Sequence, residues 1–208
     1  MSRSYLRRYT DITALIYLLS ERKITLLDPR SWDDGNDSYY LKLYRKKRKL
    51  KSVLALCFTE TDERYHYWKV FGGGSSGVSI RFDRARLLKA VRKEPGLQMN
   101  SVDYERLADI RKRILRTEEL PYLKRFAFEH ESEFRMIYES NKKEISKLDI
   151  AIPLSSIDKI TLNPWIHPDL FEHVRATLHS IDGCSALGIV RSTLLGNEEW
   201  KRLGDAAT

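Results

Sequence analysis

Cysteine, proline and histidine are scarce in this chain, and no long apolar run occurs. Two cysteines in 208 residues, Cys57 and Cys184, make no disulfide framework, which points to a reducing compartment, the cytoplasm. Cys57 lies in the apolar run Val53-Leu54-Ala55-Leu56-Cys57-Phe58 and reads as a small buried hydrophobe. The five histidines are scattered and show no zinc-ligand spacing, so no metal is expected. No stretch approaches the roughly 20 apolar residues that span a bilayer, and no membrane partner is expected. The first apolar stretch, Ile12 to Leu19, is broken by Thr13 and Tyr17 and follows Asp11, unlike a signal peptide. The run Gly72-Gly73-Gly74-Ser75-Ser76-Gly77 offers backbone N–H groups for a phosphate. It lacks the closing Gly-Lys-Ser/Thr of a P-loop and precedes a strand instead of a helix, so it reads as a connector.

What is present is an ordinary globular balance, 42% hydrophobic and 32% charged, with 11 tyrosines and 4 tryptophans. The formal net charge is +8. The excess gathers at Arg7-Arg8, at Arg45, Lys46, Lys47, Arg48, Lys49 and Lys51, and at Arg111 to Arg116. Such a balance favours an anionic ligand, a nucleotide or nucleic acid. A solvated basic helix face accounts for the same runs.

Patterning places a strand over residues 5–9 and a helix over 12–22 capped by Asp11, with Ile12, Leu15, Ile16 and Leu19 on one face. A short strand at 24–27 stops at Asp28-Pro29. The polar loop from Ser31 to Asp37 leads into a helix capped by Asn36 or Asp37. Residues 51–58 read as a buried strand. Val78, Ile80 and Phe82 alternate with Ser79 and Arg81 in another. Further strands are expected at 98–104, 130–138, 148–154, 159–162 and 189–194. Helices are expected at 65–71, 84–93, 105–116, 119–125 and 168–180, with a last helix and tail over 197–208. The mixture without strict βαβ alternation predicts one α+β domain spanning 1–208, a mixed, largely antiparallel sheet with flanking helices.

Several segments together resemble the domain-of-unknown-function family 2971 of bacteria and some phages. They are Leu6-Arg7-Arg8-Tyr9-Thr10, Leu27-Asp28-Pro29, Cys57-Phe58-Thr59-Glu60 and Tyr65-His66-Tyr67-Trp68-Lys69-Val70-Phe71. Gly77-Val78-Ser79-Ile80-Arg81-Phe82 and Phe128-Glu129-His130-Glu131-Ser132-Glu133-Phe134-Arg135 complete the set. Trp32-Asp33-Asp34-Gly35-Asn36-Asp37 is similar to that family's Asn-Asp-Pro-Phe-type loop but departs from it, since Ser38 and Tyr39 follow Asp37. That family carries no established activity, so the resemblance implies organisation and not function. The order of a basic residue and Tyr-Thr on an early strand, a polar-ended strand and a late Glu-x-Glu also resembles the ADP-ribosyltransferase superfamily. This second resemblance covers only those few positions and implies an NAD-dependent ADP-ribosyltransferase or NAD glycohydrolase, of a kind that often acts in phage conflict or as a toxin.

By that resemblance Glu133 stabilises the oxocarbenium-like charge as nicotinamide leaves NAD, and Glu131 orients or deprotonates the acceptor. In a strand, Glu131, Glu133 and Arg135 share a face, which makes Arg135 a further candidate cofactor contact. A charged, solvent-facing edge strand explains the same row. Arg8, with Thr10 on its face, suits a phosphate or ribose, or else pairs structurally with Glu133 or Asp37. His66 and Trp68 suit ring stacking, though Trp68 at helical spacing with Tyr67 and Phe71 reads as core. The acidic loop 33–37 lacks calcium-loop spacing. The competing reading is a nucleic-acid-binding module, in which Arg45, Lys46, Lys47, Arg48 and Lys49 grip phosphates and Tyr39, Tyr40 and Tyr44 stack on bases.

Overall fold

The computed structural model describes residues 4–72 and 74–207. Asp11 ends β1 (Tyr5–Asp11) and caps α1 (Ile12–Glu21), its carboxylate accepting from the N–H groups of Thr13 and Ala14 at 2.8 and 2.9 Å. β2 (Lys23–Leu27) follows, then α2 (Gly35–Lys47), β3 (Ser52–Thr59) and α3 (Tyr65–Phe71). Asp34, not Asn36 or Asp37, caps α2, because its carboxylate reaches the N–H groups of both those residues.

β4 (Gly77–Asp83), α4 (Arg84–Val91), β5 (Leu97–Ser101), β6 (Asp103–Glu105), α5 (Leu107–Ile110) and β7 (Leu123–Arg125) come next. β8 (Glu133–Ser140), β9 (Lys147–Ala151), β10 (Ile157–Leu162), α6 (Pro168–His179), β11 (Ile189–Arg191) and α7 (Glu198–Asp205) complete the order. No helix among the described residues is long and apolar enough to cross a membrane.

Among the described residues, nine strands form one sheet and β6–β7 a small parallel pair. Within the large sheet only β10–β11 is parallel, so the architecture is α+β with a mixed, largely antiparallel sheet and flanking helices. β3 is its branch point. One edge runs against β8 from Ser52↔Ser140 to Thr59↔Glu133. The other edge is divided: β1 meets it at Arg7↔Thr59, and β2 meets it at Leu27↔Ala55. The sheet therefore forks along β3.

Alternation along the strands sorts side chains into two cores. Leu54, Leu56 and Phe58 of β3 join Phe134 and Met136 of β8, Leu6 of β1, Ile80 and Phe82 of β4 and Leu15 and Leu19 of α1 in the larger one. Each such side chain contributes about 1.5–3 kcal/mol by leaving water. On the opposite face Val53, Ala55 and Ile137 pack beneath Leu41 and Tyr44 of α2 and Leu120 and Tyr122 of the 3-10 turn Thr117–Tyr122.

Several expected elements come out differently. The helix expected over 119–125 is a 3-10 turn, Thr117–Tyr122, with Pro121 inside it, and Leu123–Arg125 pairs with β6 as β7 instead of continuing it. The strand expected over 130–138 starts at Glu133, and Phe126–Glu131 is a 3-10 helix ended by Ser132 in the left-handed region at φ 41°. Side chains hold that segment off the ladder: Tyr67 donates its hydroxyl to the His130 carbonyl, and Thr59 donates to the Glu131 carbonyl. The helix expected over 105–116 shrinks to α5, because Glu105 is committed to β6 and, with Glu119, clamps Arg113. The strand expected over 98–104 divides at Val102, whose N–H bonds the Glu133 carbonyl.

Candidate functional site

The second face of β3 and β8 is apolar at one end and ionic at the other. Glu133 and Arg135 follow from the same period that buries Ile137. They are 7% and 1% exposed, and Asp37, from the first turn of α2, is 4% exposed. The Arg135 guanidinium grips Glu133 with Nε at 2.8 Å and Nη2 at 2.7 Å. Its Nη2 also meets Asp37 at 2.5 Å, and its Nη1 donates to the Pro121 carbonyl at 3.0 Å. The Trp32 ring lies against it, 5.4 Å from centroid to guanidinium carbon.

A second cation enters from β7. Lys124 Nζ stands 2.6 Å from Glu131, 3.5 Å from Glu133 and 3.4 Å from Asp37, and 4.8 Å over the Phe128 ring. Three carboxylates thus surround two cations in a largely buried cluster.

The two glutamates are driven apart electrostatically. Burial pushes the Glu133 carboxyl upward, but Arg135 and then Lys124 outweigh it and hold its pKa at about 2. Burial dominates at Glu131 and raises its pKa, with Lys124 offsetting only part. The Cys57 thiol, on the same face, is held well above its ordinary range by burial and by the Glu133 charge. Tyr104 lends its hydroxyl oxygen to the Glu133 N–H at 2.8 Å, and burial raises that hydroxyl's pKa.

The expected residues divide among several places. Glu133, Arg135 and Glu131 converge, although Glu131 arrives from the 3-10 segment and not as part of one strand row. The carboxylates suggested as structural partners of Arg8, Glu133 and Asp37, are both taken by Arg135. Arg8 sits at the fork, where Nη1 donates to the Cys57 carbonyl at 3.4 Å and burial lowers its pKa.

Arg7, not Arg8, shares the face of Glu133, since Arg7 pairs with Thr59 and Thr59 with Glu133. Thr10 lies on the face of Arg8, opposite Val78. His66 on α3 brings its ring 5.0 Å from His130, one residue before Glu131; burial and then His130 lower its pKa. Trp68 is core, 1% exposed, with its indole N–H on Glu63 at 2.7 Å.

The basic run Arg45 to Lys49 lies at the far end of α2, roughly 15 Å of helix from Asp37. Lys124 carries no signal in the sequence, and Arg7 stands out there only as half of the basic pair Arg7-Arg8. Nothing around Leu123-Lys124-Arg125 marks the ammonium, whereas the alternation of a strand puts Arg7 and Arg8 on opposite faces.

The glycine-rich run includes Gly73, which lies outside the described residues. Around it Gly73-Gly74-Ser75-Ser76-Gly77 spells Gly-x-Ser-x-Gly. It joins a helix to a strand, the reverse of the strand-to-helix elbow that activates a serine. Gly77 is required by packing: an added Cβ would stand 1.8 Å from the Gly72 carbonyl oxygen.

No family model matches the chain and no curated protein does, so the resemblance to family 2971 rests on the residues quoted above. Among solved structures the chain is similar to Thermus sp. 2.9 DarT in complex with ADP-ribosylated ssDNA, at 15% identity and a TM-score of 0.46, covering 92% of this chain and 98% of that one. It is similar at 12% identity to the same organism's DarT in complex with carba-NAD+, and at 14% to that with NAD+. Each of these two also has a TM-score of 0.46 and covers 92% of this chain, and 97% and 96% of theirs. These are loose likenesses of fold.

Proposed function

We propose that the chain binds a nucleotide, NAD, and transfers its ADP-ribose unit to an acceptor or to water. The observation that supports this is the split between Glu133 and Glu131, two carboxylates that share one ammonium yet differ in protonation tendency. Glu133, fixed as an anion, stabilises positive charge that develops on the sugar carbon while the bond to nicotinamide breaks. Glu131, with its raised affinity for a proton, takes the acceptor's proton as the new bond to that carbon forms. The surplus of one carboxylate over the two cations suits a substrate that becomes cationic in its transition state. Arg135 orients Glu133, and His66, beside His130, is assigned to a nucleotide contact; Arg8 and Thr10 lie on the other face of the sheet and are left out of the site.

The test is nicotinamide release from NAD, followed chromatographically, in wild type, Glu133→Gln and Glu131→Gln. Glu133→Gln should lose about 100-fold or more. Glu131→Gln should lose transfer to an acceptor more than hydrolysis. A folded Glu133→Gln protein with undiminished release, or a wild type with none, would falsify the reading.

A second reading, a nucleic-acid-binding surface, is favoured by one observation. Arg45 and Arg48 are paired with Glu144 and Glu118, but Lys46, Lys47 and Lys49 stand exposed with no ion pair among the described residues. That surface predicts binding that weakens steeply with salt.

A further inference from the structure

A transverse line of side chains crosses the sheet on the face of Glu133. The register runs Lys159 of β10, Arg81 of β4, Arg7 of β1, Thr59 of β3 and Glu133 of β8. Side chains directly opposite on neighbouring strands share a face, and like charges so placed destabilise a sheet. Three successive cations therefore call for an explanation.

Arg81 has one: its Nε donates to Asp158, and its guanidinium lies 4.6 Å from the Tyr5 ring centroid. Arg7 has none. It is 7% exposed, and its one hydrogen bond among the described residues is from Nη1 to Ser79 Oγ at 3.4 Å. Its Nε is buried without a partner, and among the described residues it makes no ion pair. A guanidinium taken out of water without a counter-charge is strongly disfavoured.

Arg7 also lines a hollow of about 200 Å³, with Tyr5, Arg81 and residues 60–62. That volume holds roughly six waters. Of the carboxylates there, Glu60 is already neutralised by Arg84 and accepts from Ser101, and Asp62, which also lines the hollow, is exposed. The unsatisfied demand of the hollow is thus for an anion at Arg7.

We infer that Arg7 and Arg81 form a phosphate-binding subsite, the place where a nucleotide's phosphates dock two strands away from Glu133. The strand spacing sets Arg7 roughly 10 Å from Glu133 along the line, with Thr59 between. The identification of the phosphate's carrier as a nucleotide rests on the NAD reading; the anion subsite itself does not. Planar guanidinium donors match phosphate oxygens in pairs, which a point charge does not.

The test uses calorimetric titration of the full chain with ADP and with adenosine, neither of which carries nicotinamide to release. ADP should bind more tightly than adenosine. Arg7→Gln should weaken ADP about 10- to 100-fold, the equivalent of one or two charge-assisted hydrogen bonds, and leave adenosine unchanged. Arg7→Lys keeps the charge but not the fork and should fall between. Arg81→Gln, at a less buried position, covers the case in which Arg7→Gln does not fold, and should also weaken ADP. Arg86→Gln, an exposed arginine on α4, should bind ADP as wild type does.

ADP that binds no better than adenosine overturns the subsite. So do folded Arg7→Lys and Arg81→Gln proteins with wild-type ADP affinity. Tight, Arg7-dependent ADP binding in a protein that never releases nicotinamide keeps the subsite and removes the transferase.

Discussion

β8 presents two faces built by one alternation and stabilised by different physics. Phe134 and Met136 enter the larger apolar core, where position matters little so long as volume is filled. Glu133 and Arg135, their neighbours in sequence, are as deeply buried but depend on named partners at 2.5 to 3.0 Å. The apolar face loses stability in proportion to what is removed. The ionic face loses most when one partner goes and the others stay, because the desolvation cost remains while the compensation has left.

The largest break should come from Arg135→Met, which strands Glu133 and Asp37 as buried anions. Denaturant unfolding should show a loss on the order of 4 kcal/mol. Met136→Ala, on the other face of the same strand, should cost about 3 kcal/mol, with a cavity and no change in pH dependence.

Acid sharpens the contrast further. Because the folded pKa of Glu133 lies at about 2, below its ordinary 4.5, its stabilisation is present above about pH 4.5 and is lost as pH falls toward 2. A thermal-stability profile should lose on the order of 3 kcal/mol across that window. The profile should flatten in Glu133→Gln and keep its shape in Met136→Ala. The smallest effect should be Glu131→Gln at neutral pH, within about 1 kcal/mol in either direction. At Glu131 burial raises the pKa and Lys124 opposes it, so removing the charge relieves one cost and forfeits one pair. A stability loss as large as that of Arg135→Met would mean that Glu131 belongs to the ionic lattice as firmly as Glu133 does.

The alternation of Val78, Ile80 and Phe82, the cap at Asp11 and the burial of residues 53–56 and of Phe58 were legible because each is a local pattern with a single physical solution; Cys57, read as a buried hydrophobe, is half-buried on the ionic face opposite Arg135. The pairing of Glu133 with Arg135 was half legible, since i and i+2 on a strand must share a face. Three parts were not. Glu131 falls out of the row because Ser132 turns left-handed, a choice driven by hydroxyls from Thr59 and Tyr67 that arrive from elsewhere in the chain. Lys124 is one lysine among many until β7 is laid beside β6. The preference for Arg7 over Arg8 needed the register of β1 against β3, which no pattern within β1 contains.

That register has a mechanical side. β1 is fastened to β4 at seven register pairs, yet its ladder with β3 has a single rung among the described residues, Arg7 with Thr59. A seam of one rung between two stiff panels yields first under load, so shear across the sheet concentrates there. Whatever tightens or loosens its grip on the Arg7 side chain acts on one of the two single-rung seams that hold the divided edge of β3.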